Sequence, residues 1–98
     1  MQGIAKPIYF DYEPEGFVYF IQMDRIGPIK IGYAKDIGKR LVHLQISNPY
    51  PLKLLGFYKA DKEHETEWHS IFNWLRLKGE WFLPHPFLLR EIQDSSGS

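Results

Sequence analysis

The 98-residue chain carries a set of polar side chains whose types suit the handling of a phosphate group. The set comprises Tyr19, Lys30, Tyr33, Arg40, Glu65 and His69. Hydrolysis of a phosphodiester needs a positioned water, a proton acceptor, groups that neutralise charge on the phosphoryl oxygens, and help for the leaving oxygen. These six side chains are spread over several predicted elements, so the chemistry depends on a fold that brings them together.

Spacing excludes several other kinds of site. His64 and His69 are five positions apart, about 140° around a helix, whereas a zinc protease needs a pair four apart. The stretch from Gly32 to Lys39 has one residue too many for a phosphate-cradling loop, and Arg40 stands where Ser or Thr would bind the metal. The chain has no cysteine, which excludes disulfides, thiolate nucleophiles and cysteine zinc sites.

The formal net charge of zero conceals a strong segregation of charge. Residues 30–62 carry seven basic and two acidic side chains, whereas residues 1–29 carry two and four and residues 63–98 carry three and six. A phosphate-and-metal site needs both signs, so the balance is compatible with one. The lack of overall positive charge predicts weak, salt-sensitive DNA affinity.

The distribution of apolar residues predicts a folded protein without a membrane-spanning segment. The hydrophobic fraction of 44% is too high for a disordered chain. The longest unbroken apolar run, 17–21, has five residues, where a membrane span needs about 20 and a signal-peptide core at least about 7. We therefore expect a cytoplasmic, intracellular protein with no signal peptide and no membrane partner.

The order of the strands and helices that must position these side chains predicts an α+β domain with a small three-stranded antiparallel sheet flanked by helices. Aromatic, β-branched and alternating segments predict strands at 16–22, 29–33 and 52–60, the last with a bulge at Gly56. Asp36 is expected to cap a first helix that buries Ile37, Leu41 and Leu44.

A second helix, capped by Asp61, is expected to present Trp68, Ile71, Phe72 and Leu75 to the core and to end near Gly79. Residues 87–93 predict a short last helix, Trp81 and Phe82 are expected to fill the core, and Glu80 is expected to pair with a basic residue. The predicted organisation is an N-terminal arm at 1–15, one domain at 16–93 and a flexible tail at 94–98.

Five short motifs, taken in order, resemble the GIY-YIG nuclease superfamily over roughly residues 16–90. They are Phe17-Val18-Tyr19, Lys30-Ile31-Gly32 eleven residues later, Lys39-Arg40-Leu41, Glu65-x-x-x-His69 and Gly79-Glu80-Trp81-Phe82. The chain is most similar to the phage- and prophage-associated branch that has Lys-Ile-Gly as its second signature and ends in Gly-Glu-Trp-Phe. The resemblance implies a three-stranded antiparallel sheet flanked by helices and single-metal hydrolysis of DNA phosphodiesters.

The resemblance also implies residue roles. Tyr19 would lie near the nucleophilic water, Arg40 would contact the phosphate, and Glu65 would hold Mg²⁺ or Mn²⁺. Lys30 stands where most members have a second tyrosine and would contribute a charge-assisted phosphate contact. His69 is expected to be a catalytic residue that supports the groups in contact with substrate, the alternative being a solvated helix residue.

Four further side chains, Tyr33, Lys35, Lys39 and His43, are expected to bind the substrate. The chain departs from the family pattern at Phe17, which replaces the first signature glycine, and at Leu44, where many members have histidine or tyrosine.

Several alternatives stay open at this stage. Helical rotation puts Glu65 and Glu67 at similar angles from the apolar stripe, so periodicity does not choose between them as metal ligand. Arg40 could form a surface ion pair with Asp36 instead, and Lys30 could protect a sheet edge. The whole domain could be a catalytically weak or inactive module that binds nucleic acid or protein, targeted by a separate DNA-binding domain or protein. It could also be a domain unrelated to nucleic acids.

Overall fold

The first strand, β1 (Gly16–Met23), lies in the middle of the domain because both of its faces are apolar. The computed structural model describes residues 13–96, and in it Val18, Tyr19, Phe20 and Ile21 have no exposed surface. Alternating side chains of a strand point to opposite faces of the sheet, so β1 contributes to a core on each side. Helices must therefore cover both faces.

β2 (Ile29–Ala34) and β3 (Leu52–Ala60) pair antiparallel with β1 on its two sides. All three strands lie where the sequence predicts them. The register of β3 shifts between Phe20 and Ile21, whose partners are Gly56 and Leu54. The predicted bulge therefore occurs beside Gly56, with Leu55 as the extra residue.

The sheet has five strands in the order β3-β1-β2-β5-β4, so the expectation of three strands was wrong in number, although the α+β class is confirmed. The added strands are β4 (Arg76–Lys78) and β5 (Trp81–Phe82). They form a hairpin, and β5 pairs with Ile29 and Lys30 at the start of β2.

Helix α2 (Lys62–Ile71) ends eight residues before the predicted stop at Gly79. A 3-10 turn at Asn73–Leu75 follows, and it brings Leu75 into the core before the chain turns into β4. Gly79 has a positive φ of 57° and occupies the turn of the β4–β5 hairpin, not a helix terminus. Ile71 is exposed, contrary to the predicted apolar stripe.

Helix α1 (Ile37–Ile46) covers one face of the sheet, and α2 and α3 (Pro86–Ser95) cover the other. Ile37, Leu41 and Leu44 of α1 pack against Tyr19 and Ile21 as predicted. The larger core, on the opposite face, joins Val18 and Phe20 of β1 to side chains of β2, β5, α2, the residue after α2, and α3. They are Ile29, Ile31, Phe82, Trp68, Phe72, Leu88 and Ile92.

Parts of the predicted organisation fall at the ends of the chain. Of the N-terminal arm at 1–15, the structure describes only 13–15, where Glu13 and Glu15 pair with Lys59 and Lys35. Of the tail at 94–98, residues 94 and 95 belong to α3 and residues 97–98 lie outside the described part. Each of the described helices α1 to α3 has ten residues, and no described helix meets the length and apolarity that crossing a bilayer requires.

Candidate functional site

Tyr19 lies directly over Gly32, its partner on the neighbouring strand. A Cβ atom added at Gly32 would stand 2.8 Å from Cε2 of the tyrosine ring and closer still to Cζ and the hydroxyl oxygen. The glycine of the Lys-Ile-Gly motif therefore makes the space that this ring occupies. Tyr19 is fully buried in the packing between the sheet and α1.

Arg40 reaches the Tyr19 hydroxyl from the first turn of α1. Asp36 caps this helix, because its Oδ1 accepts a hydrogen bond from the Lys39 backbone N–H at 2.9 Å. The cap sets the helix start so that Arg40 Nη1 donates to Tyr19 Oη and to the Tyr33 carbonyl oxygen, each at 3.3 Å. Across residues 13–96 the ion pairs do not include Asp36–Arg40, the surface pairing that the spacing left open.

Helix α2 buries the side chain of Glu65 and exposes that of Glu67 to solvent. Glu65 is 5% exposed and accepts a hydrogen bond from Lys62 Nζ at 3.0 Å, whereas Glu67 is exposed. The tertiary structure therefore distinguishes two carboxylates that helical periodicity does not. A buried carboxylate requires compensating partners, so Glu65 stands in a polar environment that several elements build.

His69, one turn further along α2, is held by the sheet. Its Nε2 lies 2.8 Å from the Ile31 carbonyl oxygen, and its ring is 5.3 Å from the ring of Phe82. A carbonyl oxygen only accepts, so Nε2 carries the proton and donates. In the neutral ring the lone pair is then on Nδ1.

Lys30 and Glu80 form an ion pair beside these groups, with Nζ and Oε1 2.7 Å apart. The pair depends on β5, which sets Glu80 next to the start of β2, and the Ile31 backbone N–H also donates to the Glu80 carbonyl oxygen at 3.0 Å. Burial by itself would raise the pKa of Glu80, but the hydrogen bond and charge of Lys30 outweigh it. With smaller contributions from His69 and Lys62, the pKa lies below its ordinary value.

Glu65, His69 and Glu80 together form what we call the ligand cluster. One potential ligand atom from each lies within 4.8 Å of those of the other two. Carboxylate oxygens suit Mg²⁺ and Mn²⁺, and an imidazole nitrogen suits Mn²⁺ and other transition metals. The residues present therefore fit the divalent cation that the resemblance implies.

Lys62 connects the ligand cluster to Tyr33. Its ammonium lies 3.0 Å from Glu65 Oε1 and 5.8 Å from the centre of the Tyr33 ring. The hydrogen bond to Glu65 and that residue's charge raise the pKa of Lys62. The Tyr33 ring lies over Gly16, where an added Cβ would come within 2.6 Å of the tyrosine hydroxyl oxygen.

The other predicted substrate-binding residues are exposed, Lys35 just before α1, Lys39 in its first turn and His43 in its last turn. Lys35 pairs with Glu15 at 3.1 Å, and both side chains are largely exposed. Lys39 and His43 are exposed on α1. No described contact joins Lys35, Lys39 or His43 to the ligand cluster. Among the predicted site residues, the structure brings Tyr19 together with Arg40, and Lys30 together with the ligand cluster.

Sequence reasoning assigned no metal-binding role to Glu80 and no site role to Lys62. It predicted only that Glu80 would pair with a basic residue, which is Lys30. The Gly79-Glu80-Trp81-Phe82 motif contained the missing signal, because a glycine followed by a short apolar pair is compatible with a tight turn into a strand.

A family model described as the T5orf172 domain matches residues 16–94. No curated protein and no solved structure matches the chain.

Proposed function

The chain belongs to the T5orf172 domain family, a phage-associated family of nuclease-type domains, and on that premise we propose that it is a metal-dependent endonuclease that hydrolyses DNA phosphodiesters. One observation carries the proposal: β2 contacts both groups of candidate side chains, Tyr19 with Arg40 and the ligand cluster. Tyr19 and Arg40 meet over Gly32, and Lys30, two residues earlier on the same strand, meets Glu80 of the ligand cluster.

Arg40 and Lys30 would bind the non-bridging oxygens of the scissile phosphate. Arg40 is exposed, and both of its described hydrogen bonds are long, at 3.3 Å. Its guanidinium can therefore turn towards a phosphate at little cost. Tyr19 has no exposed surface and its hydroxyl accepts from Arg40, so this turn of Arg40 would free the hydroxyl to interact with a water.

In the reaction, the oxygen of a water molecule forms a bond to phosphorus while the bond to the leaving sugar oxygen breaks. The water loses a proton, and the leaving oxygen gains one. Tyr19 would orient the water, and Arg40 and Lys30 would neutralise the charge that grows on the phosphoryl oxygens. Glu65 would hold Mg²⁺ or Mn²⁺, and the bound ion would add Lewis-acid neutralisation at the phosphate.

A Glu65→Gln variant tests the proposal against Glu67→Gln as a matched control on the same helix. Purified wild-type protein should nick supercoiled plasmid with Mg²⁺ or Mn²⁺, and Glu65→Gln should lower the rate by at least about 100-fold. Glu67→Gln should cut at the wild-type rate because Glu67 faces solvent. Circular dichroism melts establish that both variants fold. Wild-type nicking by folded Glu65→Gln would contradict the assignment.

A second function, nucleic-acid binding without cleavage, is favoured by one feature of the site. Glu65 and Glu80 are each already paired with a lysine, and Tyr19 is buried, so the cation-free site is electrostatically satisfied. Under this alternative the wild-type protein shifts DNA in gels, with affinity falling steeply as salt rises, yet never nicks plasmid with either metal.

A further inference from the structure

We infer that His69 and Glu80 join Glu65 as direct ligands in a three-residue cation site that prefers Mn²⁺ to Mg²⁺. The inference deepens the proposed function and rests on it only in assigning Glu65 to a cation. Glu65 and His69 stand four apart on α2, one turn of the helix, and Glu80 approaches from the β4–β5 turn.

The separations suit one ion. Ligand bonds of about 2.0–2.2 Å place neighbouring ligand atoms about 3 Å apart and opposite ones about 4.2 Å apart. The three ligand atoms lie within 4.8 Å of one another before any ion is considered. This upper bound is close to the separation of opposite ligands around one ion, so the three side chains are near enough to share a single cation.

The orientation of His69 provides independent support. Histidines that bind metals typically donate their second ring N–H to a carbonyl or carboxylate, which fixes the tautomer and the ring. Nε2 of His69 makes this hydrogen bond to the Ile31 carbonyl at 2.8 Å, and Phe82 packs near the ring. The ring is thus held with the Nδ1 lone pair available to a cation.

The paired lysines indicate an exchange between ammonium groups and the cation. Lys62 holds Glu65 and Lys30 holds Glu80, each through one carboxylate oxygen. The Lys62 side chain is 70% exposed, so it can leave Glu65 and regain hydration readily. A bound cation takes over the compensation of both carboxylates and releases the two ammonium groups to face a phosphate.

The imidazole nitrogen determines which cation the site prefers. Mg²⁺ favours oxygen ligands and retains most of its waters, whereas Mn²⁺ lies on the transition-metal series and accepts imidazole more readily. A site with only Glu65 as its protein ligand would lack this preference. Selectivity therefore reports directly on His69.

The test measures Mn²⁺ binding to the full chain without DNA, by loss of the electron paramagnetic resonance signal of free Mn²⁺. His69→Gln, which keeps an N–H donor for Ile31, and Glu80→Gln should each weaken binding by at least about 10-fold. Glu67→Gln should match the wild type. Lys62→Gln should tighten binding because a competing ammonium is gone, a gain that misfolding does not produce. Mg²⁺ should displace Mn²⁺ only in large excess.

Three results would overturn the inference: no Mn²⁺ binding by the wild type, wild-type affinity in folded His69→Gln and Glu80→Gln, or displacement of Mn²⁺ by an equal concentration of Mg²⁺. Plasmid nicking separates this inference from the proposed function. A wild type that nicks while both variants bind Mn²⁺ normally refutes only the three-ligand set. A wild type that binds Mn²⁺ as expected but does not nick refutes only the endonuclease.

Discussion

Gly32→Ala should displace Tyr19 and separate it from Arg40, because the tyrosine ring occupies the space that a Cβ would take. The added Cβ would stand 2.8 Å from Cε2, with Cζ and the hydroxyl oxygen closer. Carbon atoms pack at about 3.5–4.0 Å, so the ring must retreat by roughly 1 Å. It has no free volume to enter, since Tyr19 is fully buried against α1.

The energetic consequence is the difference between two opposing effects. Overpacking a core costs about 1–3 kcal/mol. Replacing glycine by alanine inside a strand otherwise gains about 0.5–1 kcal/mol through reduced chain entropy. We expect a net loss of about 1–2 kcal/mol, which for a domain of this size lowers the melting temperature by roughly 5–15 °C. A 1 Å misplacement of Tyr19 should also lower the nicking rate by about 100-fold.

Gly38→Ala provides the matched control, since Gly38 lies on exposed α1 and an added Cβ would meet only Asp36 Oδ1, at an ordinary 3.6 Å. Alanine is better than glycine by about 0.8–1.0 kcal/mol in a helix interior and by less in a first turn, so this variant should melt no lower than the wild type and cut normally. The assays are urea unfolding followed by circular dichroism and plasmid nicking. Equal stability and equal nicking in Gly32→Ala and wild type would refute the reasoning.

Two other predictions concern exposed and half-buried groups. Arg40→Ala should change the free energy of unfolding by less than about 0.5 kcal/mol, because Arg40 is exposed and its hydrogen bonds are long. The same variant should lower the nicking rate by at least about 100-fold, with Lys39→Ala as the control. A large loss of stability in Arg40→Ala would contradict the expected free energy. Burial raises the pKa of Tyr58 above its ordinary value of 10.0, opposed by the hydrogen bond from Trp68 and aided by the charge of Glu67. The stability that the Tyr58 hydroxyl contributes is therefore present below about pH 10 and declines as pH rises through the folded pKa. Tyr58→Phe should flatten the fall of the urea midpoint between about pH 9 and 11. The same dependence of the urea midpoint on pH in Tyr58→Phe and wild type would contradict this prediction.

The strands β1, β2 and β3 and helix α1 were predictable because their signals are local. Asp36 is of a residue type that caps helix N-termini, and the apolar residues Ile37, Leu41 and Leu44 repeat at helical spacing. β4 and β5 were missed because three and two residues are too few to show a period. The apolar spacing of Phe72 and Leu75 suited a continued helix, but α2 ends before Phe72 and a 3-10 turn brings in Leu75, with both residues buried.

Most residues of the candidate site were named from the sequence, but Lys62 and the cation role of Glu80 were not, and neither was the arrangement. The resemblance in motif order proposed Tyr19, Arg40 and Glu65 for phosphate chemistry. Helical angles left Glu65 and Glu67 equivalent, because they locate a side chain around its own axis and say nothing about which neighbour covers it. The structure separates the two, because Glu65 is buried with a carboxylate oxygen near ligand atoms of His69 and Glu80, whereas Glu67 is exposed.

Local chemistry along the chain thus accounts for the α+β class, the three long strands and the types of side chain available for phosphate and cation chemistry. The tertiary structure alone decides that Glu80 meets Lys30, 50 positions away in sequence, and that Glu80 stands near Glu65 and His69. The physical reason is that β5 adds to β2 through backbone hydrogen bonds between distant segments. Such pairing depends on which edge of the sheet remains open after β1, β2 and β3 have assembled.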